Sequence, residues 1–506
     1  MKDTVGKGAF VLTISGVICK FFGALFRLPL TNIIGIEGIG IYQMIMSLYS
    51  LMLIFVSSGV TNSLSKLVSS ARAKGEMFKL GIYLRYAILF SGGLGLFLGL
   101  IFAIFSGQIA TLQGIPTGKV SYFLFLVLLP LGGLIGVYRG VIQGYENMTP
   151  TAFSQIIEQV VKFVFGLLLA YILSVRGSSA GVLGAFLGIA ISEFLAFLYL
   201  SIIMNKNIKI KITKNNDFQT KNEFFKASLP LSISGAIIPL THALEALVIV
   251  SLFVKAGFES STATSLYGLQ TGVVGAILNF PLIISMAVAV SLLPKISYLS
   301  ARQDIIEQQN IINRSFSFMW FLLIPLVLGI VSISQDLFPL IYPNVIQGYL
   351  KIAVQLTQLG AISIIISSIS SFLISILQAK GFFYHALTFN IIGGTAKIAI
   401  LIILAQIKEV AIYSISISNI VMFSIISVCS LIKLGKLVKI KLFEFSLPIL
   451  SGIVMFLAVK ILLLSISGVL GVLLAVLLGA VTYFVMAYPL TKEFSLIIIR
   501  KFIKNK

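Results

Sequence analysis

The stretch "VIQGYENMTPTAFSQIIEQVVKF", Val141 to Phe163, has a second version further along the chain, "ILQAKGFFYHALTFNIIGGTAKI", Ile376 to Ile398. At a constant offset of 235 residues, Gln143 pairs with Gln378, Gln155 with Asn390 and Lys162 with Lys397. In each version a short polar turn joins two apolar runs, and a lysine falls near the middle of the second run. Two fainter echoes lie upstream in the same order. "SGVICKFFGAL" is echoed by "SGAIIPLTHAL", and "SLSKLVSSARAKGE" by "SLLPKISYLSARQD". The chain therefore reads as two related halves.

Working outward from the repeat, the apolar runs number fourteen: approximately 8–30, 40–65, 80–105, 120–143, 150–174, 181–204, 228–254, 268–293, 311–333, 352–378, 383–406, 409–432, 445–466 and 468–489. Each is long enough, at about 1.5 Å per helical residue, to cross a hydrocarbon core of roughly 30 Å. With 58% hydrophobic and 10% charged residues, the composition is that of a polytopic helical membrane protein. The expected architecture is all-α: two six-helix lobes, residues 1–204 and 228–432, with two further helices and a basic tail in 433–506. Six is an even number, so both copies enter the membrane in the same sense, related by a pseudo-twofold axis along the membrane normal. The polar segment 205–227 reads as an amphipathic linker on the cytoplasmic surface, its Ile208, Ile210 and Ile212 alternating with lysines.

The cations test the count independently, because Lys and Arg collect in cytoplasmic loops. With the first loop inside, alternate loops hold 26 of the 37 cations, while the opposite loops hold only Lys119, Arg176, Lys255, Lys351 and Lys408. Both termini are then cytoplasmic. The net charge of +21 follows from topology and from attraction to anionic membrane lipids, and needs no nucleic-acid partner.

A few charges fall inside spans. Lys20 and Arg27, with Gly23, are spaced i, i+3, i+7 and share one face of the first helix. A lipid-facing cation at mid-membrane costs on the order of 2.5–3.5 kcal/mol, so this face is expected to turn toward protein or water. Lys162 and Lys397 are each preceded on the same face by an amide, Gln155 or Asn390, and symmetry would bring both faces toward the axis. The copies differ at Glu158, four residues before Lys162 and able to neutralise it, where the second copy has Gly393. Glu193 and Glu245 are also intramembrane, and His242 lies one turn before Glu245. These acids and this histidine are candidate ion-coupling groups, for Na+ or H+, or charge partners.

Other chemistries lack their residues. Both cysteines, Cys19 and Cys429, lie in apolar runs, and no metal-ligating cluster or cofactor motif is present. A membrane glycosyltransferase or phosphotransferase needs clustered carboxylates, often with magnesium. The four aspartates, Asp3, Asp217, Asp304 and Asp336, are isolated, which argues against an enzyme. A multidrug antiporter would favour acids in its cavity, and Glu158, Glu193 and Glu245 keep that alternative open against the basic first helix.

The blocks "GKGAFVLTISGVICKFFGALFRLPLTNIIGIEGIGIYQ" (Gly6 to Gln43), "SSGVTNSLSKLVSSARAKGE" and "QGYENMTPTAFSQIIEQVVK" resemble the polysaccharide-transport branch of the multidrug/oligosaccharidyl-lipid/polysaccharide flippase superfamily. The likeness is greatest to the stage V sporulation protein B group and its relatives, the MurJ-type lipid II flippases. It implies a monomeric fourteen-helix transporter in the bacterial cytoplasmic membrane that turns over an undecaprenyl-diphosphate-linked saccharide or peptidoglycan precursor. It further implies that Lys20 and Arg27 match basic first-helix positions contacting the diphosphate, and that the two extra helices form a groove for the lipid tail. Lysine at 20, where the MurJ pattern has arginine, lacks the planar two-pronged grip on phosphate.

Overall fold

The computed structural model describes residues 2–208, 217–438 and 442–490; the basic tail and part of the linker, Ile210 and Ile212 included, lie outside the described residues. The described chain is helical throughout. In order, the helices are α1 (Lys2–Leu53), α2 (Gly59–Ala73), α3 (Met77–Ile104), α4 (Ser106–Leu112), α5 (Phe125–Gly144), α6 (Thr149–Ser174), α7 (Ser178–Asn207), α8 (Phe218–Lys255) and α9 (Ser260–Gly268). They continue with α10 (Gly275–Ala301), α11 (Ile305–Ile341), α12 (Leu350–Ala379), α13 (Phe383–Leu404), α14 (Lys408–Ala411), α15 (Ser414–Leu434), α16 (Leu442–Ser465) and α17 (Gly468–Met486).

Among the described residues, thirteen helical segments are long and apolar enough to cross a membrane. The first of them, Ile14–Ala73, is 60 residues long, too long for one crossing. It is divided at Gly35, which sits at φ 76°, ψ 177°, a conformation open to glycine and costly for a residue with a Cβ. The break falls between the first two predicted spans, so the count agrees with fourteen. Beyond it, the five-residue π-helical turn Ile54–Ser58 joins α1 to α2, and a second, Leu269–Val274, joins α9 to α10.

The sequence repeat is a structural one. α5 ends at Gly144 and α12 at Ala379, while α6 starts at Thr149 and α13 at Phe383, which keeps the 235-residue register to within one position.

The chain divides into two compact units, residues 1–273 with 398–412, and 274–397 with 413–506. In the first unit, α7 crosses α6 at backbone contact. A Cβ on Gly184 would meet the Leu169 carbonyl oxygen at 2.3 Å, and one on Gly188 the Gly166 Cα at 2.2 Å. In lipid, where no hydrophobic force drives helices together, such small-residue seams let dispersion and helix packing do so. α8 begins at Phe218, inside the stretch predicted as linker, with Asp217 as its cap; Phe224 is fully buried beside Leu80, Leu84, Ile135 and Leu200. Tyr83 donates to Glu223 at 2.6 Å, so the start of α8 is held on α3 by a ring and a hydrogen bond together.

In the second unit the core gathers around Trp320 on α11, whose indole N–H donates to the Phe445 carbonyl at 3.0 Å while its ring stacks on Phe445 at 4.6 Å. This contact anchors α16, and α17 follows against it. Leu470, Leu473, Leu477 and Val481 of α17 are exposed apolar residues, as a lipid-facing helix requires.

Candidate functional site

In the first unit the N-terminal half of α1 packs against α6 along a seam that mixes rings and polar groups. Ser15 donates to the Gln155 side-chain oxygen at 3.1 Å. About two turns further along α1 and one turn along α6, a Cβ at Gly23 would lie 3.9 Å from the Gln159 side-chain oxygen, which is buried. Phe22 and Phe26 both meet the ring of Phe163 edge-on, at 6.4 and 6.5 Å. The Lys162 ammonium stands 5.5 Å from the centroid of Phe26, a cation on an aromatic face. Arg27, Glu158 and Glu193 share its electrostatic surroundings. Lys162 and Arg27 are both half-buried, and Lys20, on the same face of α1, is exposed. The seam thus offers two partly shielded cations and one open one, flanked by amide and hydroxyl groups.

The expected Glu158–Lys162 pair is replaced by another. Glu158 bonds Arg139 of α5 at 2.9 Å, and the same guanidinium donates to the Ser154 hydroxyl at 2.9 Å. Arg139 is one of the 26 cations that the topology count assigns to cytoplasmic loops. It lies inside α5, just over a turn before the helix end, and its long planar fork reaches across the α5–α6 corner to take the carboxylate. Lys162 is thereby left facing the aromatic ring. Spacing along one helix brought Glu158 and Lys162 near each other, but packing between helices decided the partner.

In the second unit Lys397 is fully buried, whereas Asn390 is half-buried. The lysine shared by the two copies is thus half-buried in the first and closed off in the second. Gly393 explains part of the closure: a Cβ there would meet Ile426 at 2.7 Å and the Met422 carbonyl at 3.0 Å, so α15 lies directly against α13.

Of the other predicted groups, Glu193 on α7 is buried and accepts a hydrogen bond from the Tyr49 hydroxyl. Glu245 is buried and His242 half-buried on α8; Glu245 and Arg27 both lie within electrostatic range of Tyr267 on α9. Among the described residues no cluster of three or more His, Cys, Asp or Glu has the makings of a metal site. Sequence reasoning missed Arg139, Tyr49 and Ser15 as members of this network. Arg139 carried a usable signal, since a four-residue turn folds α5 back on α6 and brings it opposite Ser154 and Glu158. Tyr49, 144 residues from Glu193, carried none.

The second unit holds an apolar cavity of about 360 Å³ between α11, α16 and α17, with Ile284 of α10 at its edge. Leu322, Leu326, Met455, Ala475 and Val476 are among its walls. Its two polar side chains are turned away to backbone partners: Tyr483 donates to the Phe321 carbonyl at 2.7 Å and Ser332 to that of Gly329 at 2.7 Å. What remains is an apolar groove.

Comparison with known proteins agrees with this architecture. The chain is 30% identical over 305 residues to stage V sporulation protein B of Bacillus subtilis, covering 58% of each chain. It is 27% identical over 370 residues to the lipid II flippase MurJ of the same organism, covering 68% of this chain and 66% of that one. The matched regions thus span about six-tenths of those relatives' lengths. Among solved structures, lipid II flippase MurJ in an inward closed conformation superposes with a TM-score of 0.74 at 14% identity, over 96% of this chain and 99% of that one. An inward-facing multidrug resistance MATE family transporter superposes with a TM-score of 0.68 at 13% identity, over 85% and 98%. The model of the polysaccharide biosynthesis protein family matches residues 5–300. The chain therefore belongs to that family, as a multi-pass membrane protein.

Proposed function

We propose that this protein carries a polyprenyl-diphosphate-linked saccharide, of the kind represented by lipid II, across the bacterial cytoplasmic membrane by alternating access, with both termini cytoplasmic. The observation that carries this reading is the α1–α6 seam, where Lys162 and Arg27 are half-shielded among amides and rings with Lys20 open beside them. A diphosphate is a multiply charged anion that cannot enter hydrocarbon unaided. Ammonium and guanidinium groups in a partly dry setting would meet it with charge-assisted hydrogen bonds, and Ser15 and Gln155 are suited to the attached sugar. The prenyl chain needs only an apolar surface, for which the groove along α16 and α17 is fitted. Transport, and not bond chemistry, is the assignment, and anionic lipids are expected around the basic cytoplasmic face.

The named relatives, a lipid II flippase and a sporulation protein, support the substrate class, and the MATE fold leaves cation export as the rival. The test is flipping of lipid II and other polyprenyl-diphosphate sugars by the purified protein in vesicles, with and without an imposed membrane potential, beside cationic-dye transport in the same vesicles. Lipid-linked substrate is expected to cross and dye is not. Lys20→Glu and Arg27→Glu are expected to insert normally and lose flipping. Dye transport without lipid flipping, or full flipping by Lys20→Glu, would reverse the assignment.

A further inference from the structure

Beside the cationic seam lies a buried acid that anion binding does not use. Glu193 is only 7% exposed. One carboxyl oxygen accepts from Tyr49 of α1; the other is buried, meets no hydrogen-bond donor, and lies 3.8 Å from where a Cβ on Gly132 of α5 would stand. None of the ion pairs among the described residues includes it. The charged and titratable groups around it are Tyr49 and Tyr42 on α1, Arg139 on α5, and Glu158 and Lys162 on α6. Arg139 and Glu158 are already paired with each other, which leaves Lys162 as the unmatched charge in its vicinity.

An ionised carboxylate here would be a buried charge with a single hydrogen bond, a state that costs several kcal/mol. A hard metal cation would need a cage of about six oxygens, whereas this site supplies one carboxyl group and one phenol. A proton on the second oxygen removes the charge and fits the small space against Gly132. We infer that Glu193 is a proton-binding site whose occupancy is linked to anion binding at Lys162. An anion arriving at Lys162 cancels the one unmatched positive charge near Glu193, and so favours the carboxyl over the carboxylate. By reciprocity, a proton on Glu193 favours the anion. The headgroup then enters with a proton and both leave together. The linkage rests on the anion-binding reading above; the proton site itself does not.

Two measurements on the full-length protein separate these. Infrared spectroscopy of the wild type at neutral pH is expected to show a protonated-carboxyl stretch that disappears in Glu193→Gln, a variant with the shape of the protonated acid. Tyr49→Phe removes the one donor to the carboxylate, so its band should persist to higher pH. A wild type without the band, or Glu193→Gln with it, overturns the proton site. Binding of undecaprenyl diphosphate in nanodiscs is expected to weaken about fivefold or more from mildly acid to mildly alkaline pH in the wild type, beyond any change in Glu193→Gln. Equal pH profiles in the two proteins overturn the linkage. Failure of both to bind at any pH overturns the anion-binding reading and with it the linkage, while the infrared result still decides the proton site.

Discussion

The two copies of the repeat keep the same lysine and surround it differently. In the first copy Arg139 forms an ion pair with Glu158 and donates a hydrogen bond to Ser154 across the α5–α6 corner, and Lys162 lies beside them. At the same offset the second copy has Ile374, Phe389 and Gly393. All three polar partners are gone together, and Ile374 and Phe389 pack into the apolar core of the second unit. The change is coherent. A lone arginine or glutamate left there would be an unpaired charge among hydrocarbon side chains, so the group is either retained whole or replaced whole. The first copy thus holds a polar seam, and the second is apolar packing around a buried Lys397.

The sharpest way to break this contrast is to force the first copy's chemistry onto the second. Gly393→Glu places a carboxylate where a Cβ alone already meets Ile426 at 2.7 Å and the Met422 carbonyl at 3.0 Å. It is expected to prevent accumulation of folded protein in the membrane, and even Gly393→Ala should cost about 1–3 kcal/mol from overpacking. The reverse change is milder: Glu158→Ala strips Arg139 of its carboxylate in a half-open setting and should cost about 1–3 kcal/mol with the fold retained. Membrane yield and thermal unfolding in detergent measure both. Normal yield and an unchanged midpoint for Gly393→Glu would show that α13 and α15 are not tightly apposed, and the contrast would fail.

A second, smaller effect separates the lysines by type of damage. Lys162→Met should weaken binding of a diphosphate lipid roughly ten- to hundredfold, the loss of about 1.5–3 kcal/mol expected for a hydrogen bond to a charged group, with little change in thermal midpoint. Lys397→Met should lower the midpoint, since a buried partner loses its donor, and leave the affinity of the surviving protein near wild type. Measuring Kd and midpoint for both variants gives a crossed result if the copies have diverged as described. Parallel losses in the two columns would mean that they still act as a symmetric pair.

How much of this was legible beforehand follows from what each feature depends on. The spans were legible because each is a local count of apolar residues against a fixed hydrocarbon thickness, and the α5–α6 and α12–α13 hairpins because the repeat gives the same register twice. Even the break at Gly35 fell in the gap between two predicted spans. The partner of Glu158 was not legible in that way. Its spacing to Lys162 is a one-helix argument, and the answer came from Arg139 on a neighbouring helix. The Glu193–Tyr49 contact joins α7 to α1, and no periodicity in either segment points to the other. The start of α8 was hidden for a different reason: lysines and asparagines around Phe224 mask a short amphipathic turn whose one fully buried ring docks it on the first unit.

The smallest expected effect lies in the turns, where the residues differ between the copies, 144–148 against 379–383, while the backbone closes in the same way. Both close with the same backbone bonds, Glu146 N–H to Gln143 and Asn147 N–H to Ile142 in the first, Gly381 N–H to Gln378 and Phe382 N–H to Leu377 in the second. This is a helix end that requires a left-handed residue, and the chain supplies Glu146 at φ 61° and Gly381 at φ 82°. A residue with a Cβ gives up about 1–2 kcal/mol there, whereas glycine gives up about 0.4–1 kcal/mol through its freer unfolded chain. Glu146→Gly should therefore stabilise by roughly 0.5 kcal/mol, and Gly381→Glu should destabilise by a similar amount, because nothing stands within 4 Å of a Cβ at Gly381 to add a clash. The double exchange should return the thermal midpoint close to wild type. Shifts of the same sign in the two single variants would mean that the turns are held by side-chain contacts that differ between the copies, and the divergence would then extend beyond the seam to the corner that positions it.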